Sequence, residues 1–126
     1  LTLNPPTPYP SRSGGVGYFY TIHIWRQQLA AAAESPNVFA KVSGLNTVTP
    51  DFDNWTYEDI KPLVDYAIEQ FGADRLMFGS DWPVAVLAGD YAKVWDETNK
   101  CLEGLSPGER DAILGGTGNA FYRLNI

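Results

Sequence analysis

Asp81 is the residue of this chain best placed to do chemistry. It stands in Leu76-Met77-Phe78-Gly79-Ser80-Asp81-Trp82-Pro83, where three apolar residues run into a Gly-Ser pair, a carboxylate, an indole and a proline. The pattern reads as a buried strand that ends in a functional loop, with Asp81 at its lip. A carboxylate there can accept a proton from water, bind a divalent metal ion, or both. It can equally cap the turn that follows, with Pro83 fixing the backbone. Alternation along the strand puts Met77, Gly79 and Asp81 on one face and Leu76, Phe78 and Ser80 on the other. Gly79 leaves room beside Asp81, and Trp82 can wall a pocket. A second strand end, Ser43-Gly44, offers a hydroxyl.

Other candidate constellations fail on spacing. His23 is the only histidine, and a catalytic zinc usually takes three protein ligands. It reads as a solvated residue at a helix start. A triad of Ser43 or Ser80 with His23 and Asp81 lacks a nucleophile elbow. Gly14-Gly15-Val16-Gly17 has no Lys-Ser/Thr after it and no strand before it, so it is no phosphate cradle. Asp51-Phe52-Asp53-Asn54 opens like a calcium loop, but Thr56 stands at the glycine position and Pro62 at the final glutamate position. Turn chemistry explains it better.

The elements that must position these residues follow from periodicity and punctuation. Residues 1–23 form a Pro/Gly-rich arm, expected to be irregular, with Tyr18, Phe19 and Tyr20 able to make a short strand or to adhere to a core edge. A helix is expected over 24–34, with Trp25, Gln28, Leu29, Ala32 and Ala33 on one face and a stop at Ser35-Pro36. A strand over 37–45 carries apolar residues on both faces, as in a covered parallel sheet. Lys41 is its anomaly and needs a partner or a route to the mouth of the sheet. Thr56 opens a helix whose stripe is Ile60, Leu63, Val64, Ala67, Ile68 and Phe71, with Gly72 as its stop and Pro62 able to split off its first turn. Asp90 caps a third helix with Tyr91, Val94, Trp95, Thr98, Leu102 and Leu105 on its buried face and Cys101, a small core residue, beside it. Ser106-Pro107-Gly108-Glu109 is a capping box that starts a short helix, expected to end at Gly115-Gly116. A last helical turn follows, with Phe121, Tyr122 and Leu124 free to dock. Strands alternating with amphipathic helices give an α/β class with parallel strands. Two strands do not make a covered sheet.

Composition narrows the function. The chain has 126 residues, 44% hydrophobic and 19% charged, as in a globular domain. A formal charge of -6 with no basic cluster argues against nucleic acid and anionic membrane surfaces. A single cysteine excludes an intrachain disulfide and fits a reducing, cytoplasmic setting. No apolar run approaches the ~20 residues of a membrane span. The chain starts at Leu1 and its only methionine is Met77, so it is expected to be a piece of something longer.

Three blocks resemble the amidohydrolase-related family, and within it the sugar-lactone and 2-pyrone-4,6-dicarboxylate lactonase branch. They are the run from Pro36 to Leu45, PNVFAKVSGL; the run from Phe71 to Val84, FGADRLMFGSDWPV; and Gly118-Asn119-Ala120 with Tyr122. The resemblance implies that residues 24–126 are the C-terminal part of a (β/α)8 barrel, with strand seven at 41–45 and strand eight at 76–81. It implies hydrolysis of a small lactone or similar ester at the barrel mouth, with Asp81 as general base and, in many members, a metal ligand. Trp82 would line the substrate pocket, and Ser43 and Lys41 are the further substrate-binding candidates. Zinc is implied for the full-length family and none for this chain alone. The family's His-x-His pair and its further histidines are absent, and a full barrel takes ~250 residues. The isolated chain is therefore expected to be inactive. The alternatives are a metal-dependent decarboxylase of the same family, or a non-catalytic module whose open strand edges are covered by a homo-oligomer or another partner.

Overall fold

The computed structural model describes the backbone of residues 16–126 and the side chains of 21–126. The first fifteen residues of the expected arm, with Gly14 and Gly15, lie outside the described residues. The elements run α1 (Val16–Ala33), β1 (Ala40–Val42), α2 (Tyr57–Phe71), β2 (Leu76–Phe78), α3 (Tyr91–Cys101), α4 (Pro107–Asp111) and α5 (Thr117–Tyr122). Short 3-10 turns follow β1, precede β2 and follow it.

Helix α1 begins at Val16, not near residue 24, and takes Tyr18, Phe19 and Tyr20 into helix instead of strand. Aromatic residues favour strands only where a sheet accepts them. Here the alanine-rich run downstream propagates helix backward through them. Trp25, Leu29 and Ala33 form its buried line, whereas Gln28, expected on that face, is exposed. The Trp25 ring meets Tyr66 of α2 at 6.0 Å, and the Tyr66 hydroxyl donates to the Arg26 carbonyl at 3.1 Å.

Helix α2 carries a full capping box. The Thr56 hydroxyl accepts from the Glu58 amide, and the Asp59 carboxylate accepts from the Thr56 amide at 2.7 Å. Its stripe Ile60, Leu63, Val64, Ala67 and Phe71 is buried, and Ile68 packs against that core. Pro62 stays inside one continuous helix and splits nothing. So close to the helix start, its missing N–H removes only the bond to the Glu58 carbonyl.

The strands are parallel and three residues long, pairing Ala40 with Leu76, Lys41 with Met77 and Val42 with Phe78. They are shorter than the expected spans because Gly44, at φ 71°, turns the chain after β1, and Asp81, at φ 55°, turns it after β2. Arg75 anchors the start of β2. Its guanidinium donates to the carbonyls of Phe71, Ser35 and Val38, tying the ends of α2 and α1 to the approach of β1. One sheet face packs on α2 and α3, with the Phe78 ring edge-on to Trp95 at 5.3 Å. Tyr91, expected on the buried face of α3, is half exposed.

The C-terminal segment runs differently from expectation. Gly115-Gly116 does not end a helix: Ala112–Gly116 forms a π turn that continues α4 directly into α5. Ile113, fully buried, and Thr117, whose hydroxyl donates to the Ala73 carbonyl at 2.9 Å, hold this segment against the start of β2. That anchoring outweighs the weak helix propensity of the glycines. Helix α5 then lies over the sheet's other face: Phe121 meets Phe39 at 4.9 Å, and a methyl at Gly118 would touch Met77 at 3.9 Å.

Candidate functional site

The site is built at the carboxyl ends of the two strands, where parallel α/β folds carry ligands. Lys41, Ser43 and Gly79 share one face. A methyl placed on Gly79 would lie 3.1 Å from the Ser43 hydroxyl oxygen, 3.2 Å from Ser43 Cβ and 3.9 Å from Lys41 Cδ. The Gly79 amide donates to the Val42 carbonyl at 3.0 Å, extending the pairing past β2. Ser43 is buried. Lys41 has found the partner its strand position demands: its ammonium sits over the Tyr122 ring, 5.5 Å from the centroid.

Asp81 follows two residues beyond Gly79, partly exposed at the lip. Its backbone is left-handed, at φ 55°, a conformation that aspartate tolerates better than most residues. Its carbonyl accepts from the Ala85 amide at 2.9 Å. The turn after it is capped by no side chain, and among the described residues no donor engages the Asp81 carboxylate. The reading of Asp81 as a local cap therefore has no hydrogen bond behind it. Trp82 follows on the rim, 66% exposed. His23 is exposed on α1.

Two loops frame these residues. After β1, residues 45–49 are all buried, and the chain holds itself: the Thr47 hydroxyl donates to the Gly44 carbonyl and the Thr49 hydroxyl to the Asn46 carbonyl, both at 2.8 Å. Residues 51–54 are a self-closed turn, the Asp51 carboxylate accepting from the Asp53 and Asn54 amides. The Asn54 side-chain amide also donates to it, and these bonds hold the Asp51 carboxyl below the usual carboxylate range. After β2, residues 81–89 are fastened from outside by Asn46 and Trp55. The Asn46 amide donates to the Ala85 carbonyl at 3.0 Å and the Ala88 carbonyl at 3.4 Å, and the Trp55 indole also donates to Ala88. Neither Asn46 nor Trp55 stands out in the sequence.

Among the described residues no group of three or more His, Cys, Asp or Glu side chains could hold a metal ion. A catalytic zinc usually needs three such ligands, so Asp81 and its neighbours do not fit one by themselves. No helix among the described residues is long and apolar enough to cross a membrane.

Comparison with known proteins gives the site its context. The amidohydrolase family profile matches residues 14–124. An uncharacterised Sinorhizobium fredii protein, y4mH, is 40% identical over 100 residues, which are 79% of this chain and 33% of that protein. An L-fucono-1,5-lactonase of Burkholderia multivorans is 39% identical over 104 residues, 79% of this chain and 35% of the relative. The crystal structure of a Burkholderia multivorans amidohydrolase with bound zinc superposes with a TM-score of 0.77 at 37% identity, over 84% of this chain and 39% of that one. The chain spans about a third of the length of the curated relatives it matches.

Proposed function

The chain belongs to the amidohydrolase family, and from that membership we propose that it supplies the strand-eight carboxylate of a lactone-hydrolysing (β/α)8 barrel. Its two parallel strands and their helices are the C-terminal part of such a barrel. Asp81 is the general base. It takes a proton from water as the water oxygen attacks the lactone carbonyl, and it returns that proton to the ring oxygen as the tetrahedral intermediate collapses and the ring C–O bond breaks. The open lactone, a hydroxy acid, is the product. Ser43, buried on the same face as Gly79, offers a hydroxyl to the substrate, and Trp82 walls its far side. Lys41, whose ammonium lies over the Tyr122 ring, faces the negative charge that develops on the lactone carbonyl oxygen as water attacks.

The observation that carries this reading is the Asp81 carboxylate itself. It stands at a strand's carboxyl end in a left-handed backbone, with no described donor holding it in a structural role. Strained conformations of this kind concentrate at functional sites. The complete site requires the barrel's other strands, whose histidines this chain lacks. The relatives point to the substrate class: L-fucono-1,5-lactone is named for two of them, at 39% and 38% identity.

A second reading has one observation in its favour. Val84, Val86, Leu87 and Trp82 form an exposed apolar rim, and the two-stranded sheet leaves its outer edges unpaired among the described residues. A non-catalytic module would use them to bind a partner. The discriminating experiment fuses the N-terminal two thirds of the Burkholderia multivorans lactonase ahead of residue 24 and follows L-fucono-1,5-lactone hydrolysis. Turnover lost in Asp81→Asn supports the enzyme reading. Turnover retained in Asp81→Asn refutes Asp81 as base.

A further inference from the structure

We infer that Asn46 is a positioning residue: its buried amide clamps the loop after β2 and thereby holds Asp81 in its left-handed backbone. The inference rests on the reading of Asp81 as the working carboxylate.

The connection is short and continuous. Asn46 is 2% exposed, and its side-chain nitrogen reaches the carbonyls of Ala85 and Ala88, 39 and 42 residues away in sequence. Ala85 in turn donates its amide to the Asp81 carbonyl at 2.9 Å. A single residue therefore lies between the Asn46 amide and the Asp81 backbone. The amide's orientation is fixed by chemistry, because both of its partners are carbonyl oxygens and accept only.

The other half of the amide points to the same role. Asn46 Oδ1 is buried and has no hydrogen-bond partner among the described residues. A buried acceptor left unpaired is unfavourable, so the residue's use lies in its two donors. An apolar residue would avoid the orphaned oxygen but would leave the Ala85 carbonyl without this donor. The base of the clamp is rigid: residues 45–49 are all buried and the loop closes on itself through Thr47 and Thr49. The Trp55 indole grips the far end of the same loop at Ala88. At φ 55° Asp81 occupies a conformation that aspartate tolerates but does not require, and these bonds favour it over the alternatives.

The test uses the 126-residue chain itself and needs no turnover. Backbone amide hydrogen exchange and the three-bond HN–Hα coupling of Asp81 are measured by NMR in the wild type, Asn46→Ala and Asn46→Leu. Asn46→Leu keeps the branched shape of the side chain and removes both donors. The clamp predicts that Ala85 amide protection falls about tenfold in both variants, the loss of one net hydrogen bond. It also predicts that the Asp81 coupling moves off its left-handed value, while the Gly79 amide, bonded to Val42, keeps its protection. Unchanged exchange at Ala85 overturns the inference. So does an equal loss at Ala85 and Gly79, or a variant that does not fold, since both mean that Asn46 supports the whole domain. Asp81's chemical role is tested separately by turnover in Asp81→Asn, so each idea can fail without the other.

Discussion

Replacing Gly79 with alanine tests whether the strand-end face is as closely built as the structure shows. The backbone at Gly79 does not require glycine, because its φ lies outside the left-handed region. The obstacle is steric. The new methyl would sit 3.1 Å from the Ser43 hydroxyl and 3.2 Å from Ser43 Cβ. Rotating the serine side chain relieves the first contact but not the second, because Cβ moves only with the backbone. The Gly79–Val42 hydrogen bond at 3.0 Å keeps the strands from separating. Overpacking of this kind costs about 1 to 3 kcal/mol. The stiffer unfolded chain returns about 0.4 to 1 kcal/mol. The net expectation is a loss of about 1 kcal/mol, seen as a lower urea midpoint at unchanged slope and a Tm lower by about 3 to 5 °C. An alanine variant as stable as the wild type, or more so, would refute the packing of Ser43 against Gly79.

Two further outcomes follow from groups away from the site. Burial raises the Glu97 carboxyl, but the hydrogen bonds from Lys100 and the Tyr57 amide more than offset this, leaving it below its ordinary value of 4.5. A lowered carboxyl contributes stability that is present above the ordinary value and lost as pH falls through the folded one. Acid titration of stability should therefore lose part of its fall below about pH 4.5 in Glu97→Gln; an unchanged acid limb contradicts the pairing. Burial pushes the Cys101 thiol up to about 12, so it should resist iodoacetamide at about pH 8 until the chain is unfolded in urea. Rapid labelling of the folded chain, followed by mass spectrometry, would show that α3 does not pack on α2 as described.

The parts of the fold that depend on local chemistry were legible in the residues. Thr56, Asp90 and Ser106 cap helices as their types require, and the stripe from Ile60 to Phe71 faces the core. Lys41 announced that it needed a partner, although nothing local identified Tyr122 as that partner. What was not legible was set by contacts distant in sequence. Gly115-Gly116 reads as a stop, yet Thr117 and Ile113 anchor that segment to β2 and carry the helix through a π turn. Tyr18, Phe19 and Tyr20 have strand composition, but no strand edge takes them. At the site, Asp81 could be found from the strand-loop pattern around it. Asn46 could not, because its partners are backbone carbonyls on another loop, and carbonyls leave no mark in the sequence.

Asp81, as proposed above, is the base that activates water for attack on a lactone. The most direct measurement is the rate of L-fucono-1,5-lactone hydrolysis by the barrel completed with the Burkholderia multivorans N-terminal segment, compared with its Asp81→Asn form and with the 126-residue chain alone. Asparagine keeps the side chain's shape and tolerates the left-handed backbone, so the substitution removes the base and spares the fold. Turnover is expected in the completed barrel, with a fall of about a hundredfold or more in kcat on Asp81→Asn, and none is expected from the chain alone. Turnover unchanged by the Asp81→Asn substitution, or hydrolysis by the isolated chain, would contradict this expectation.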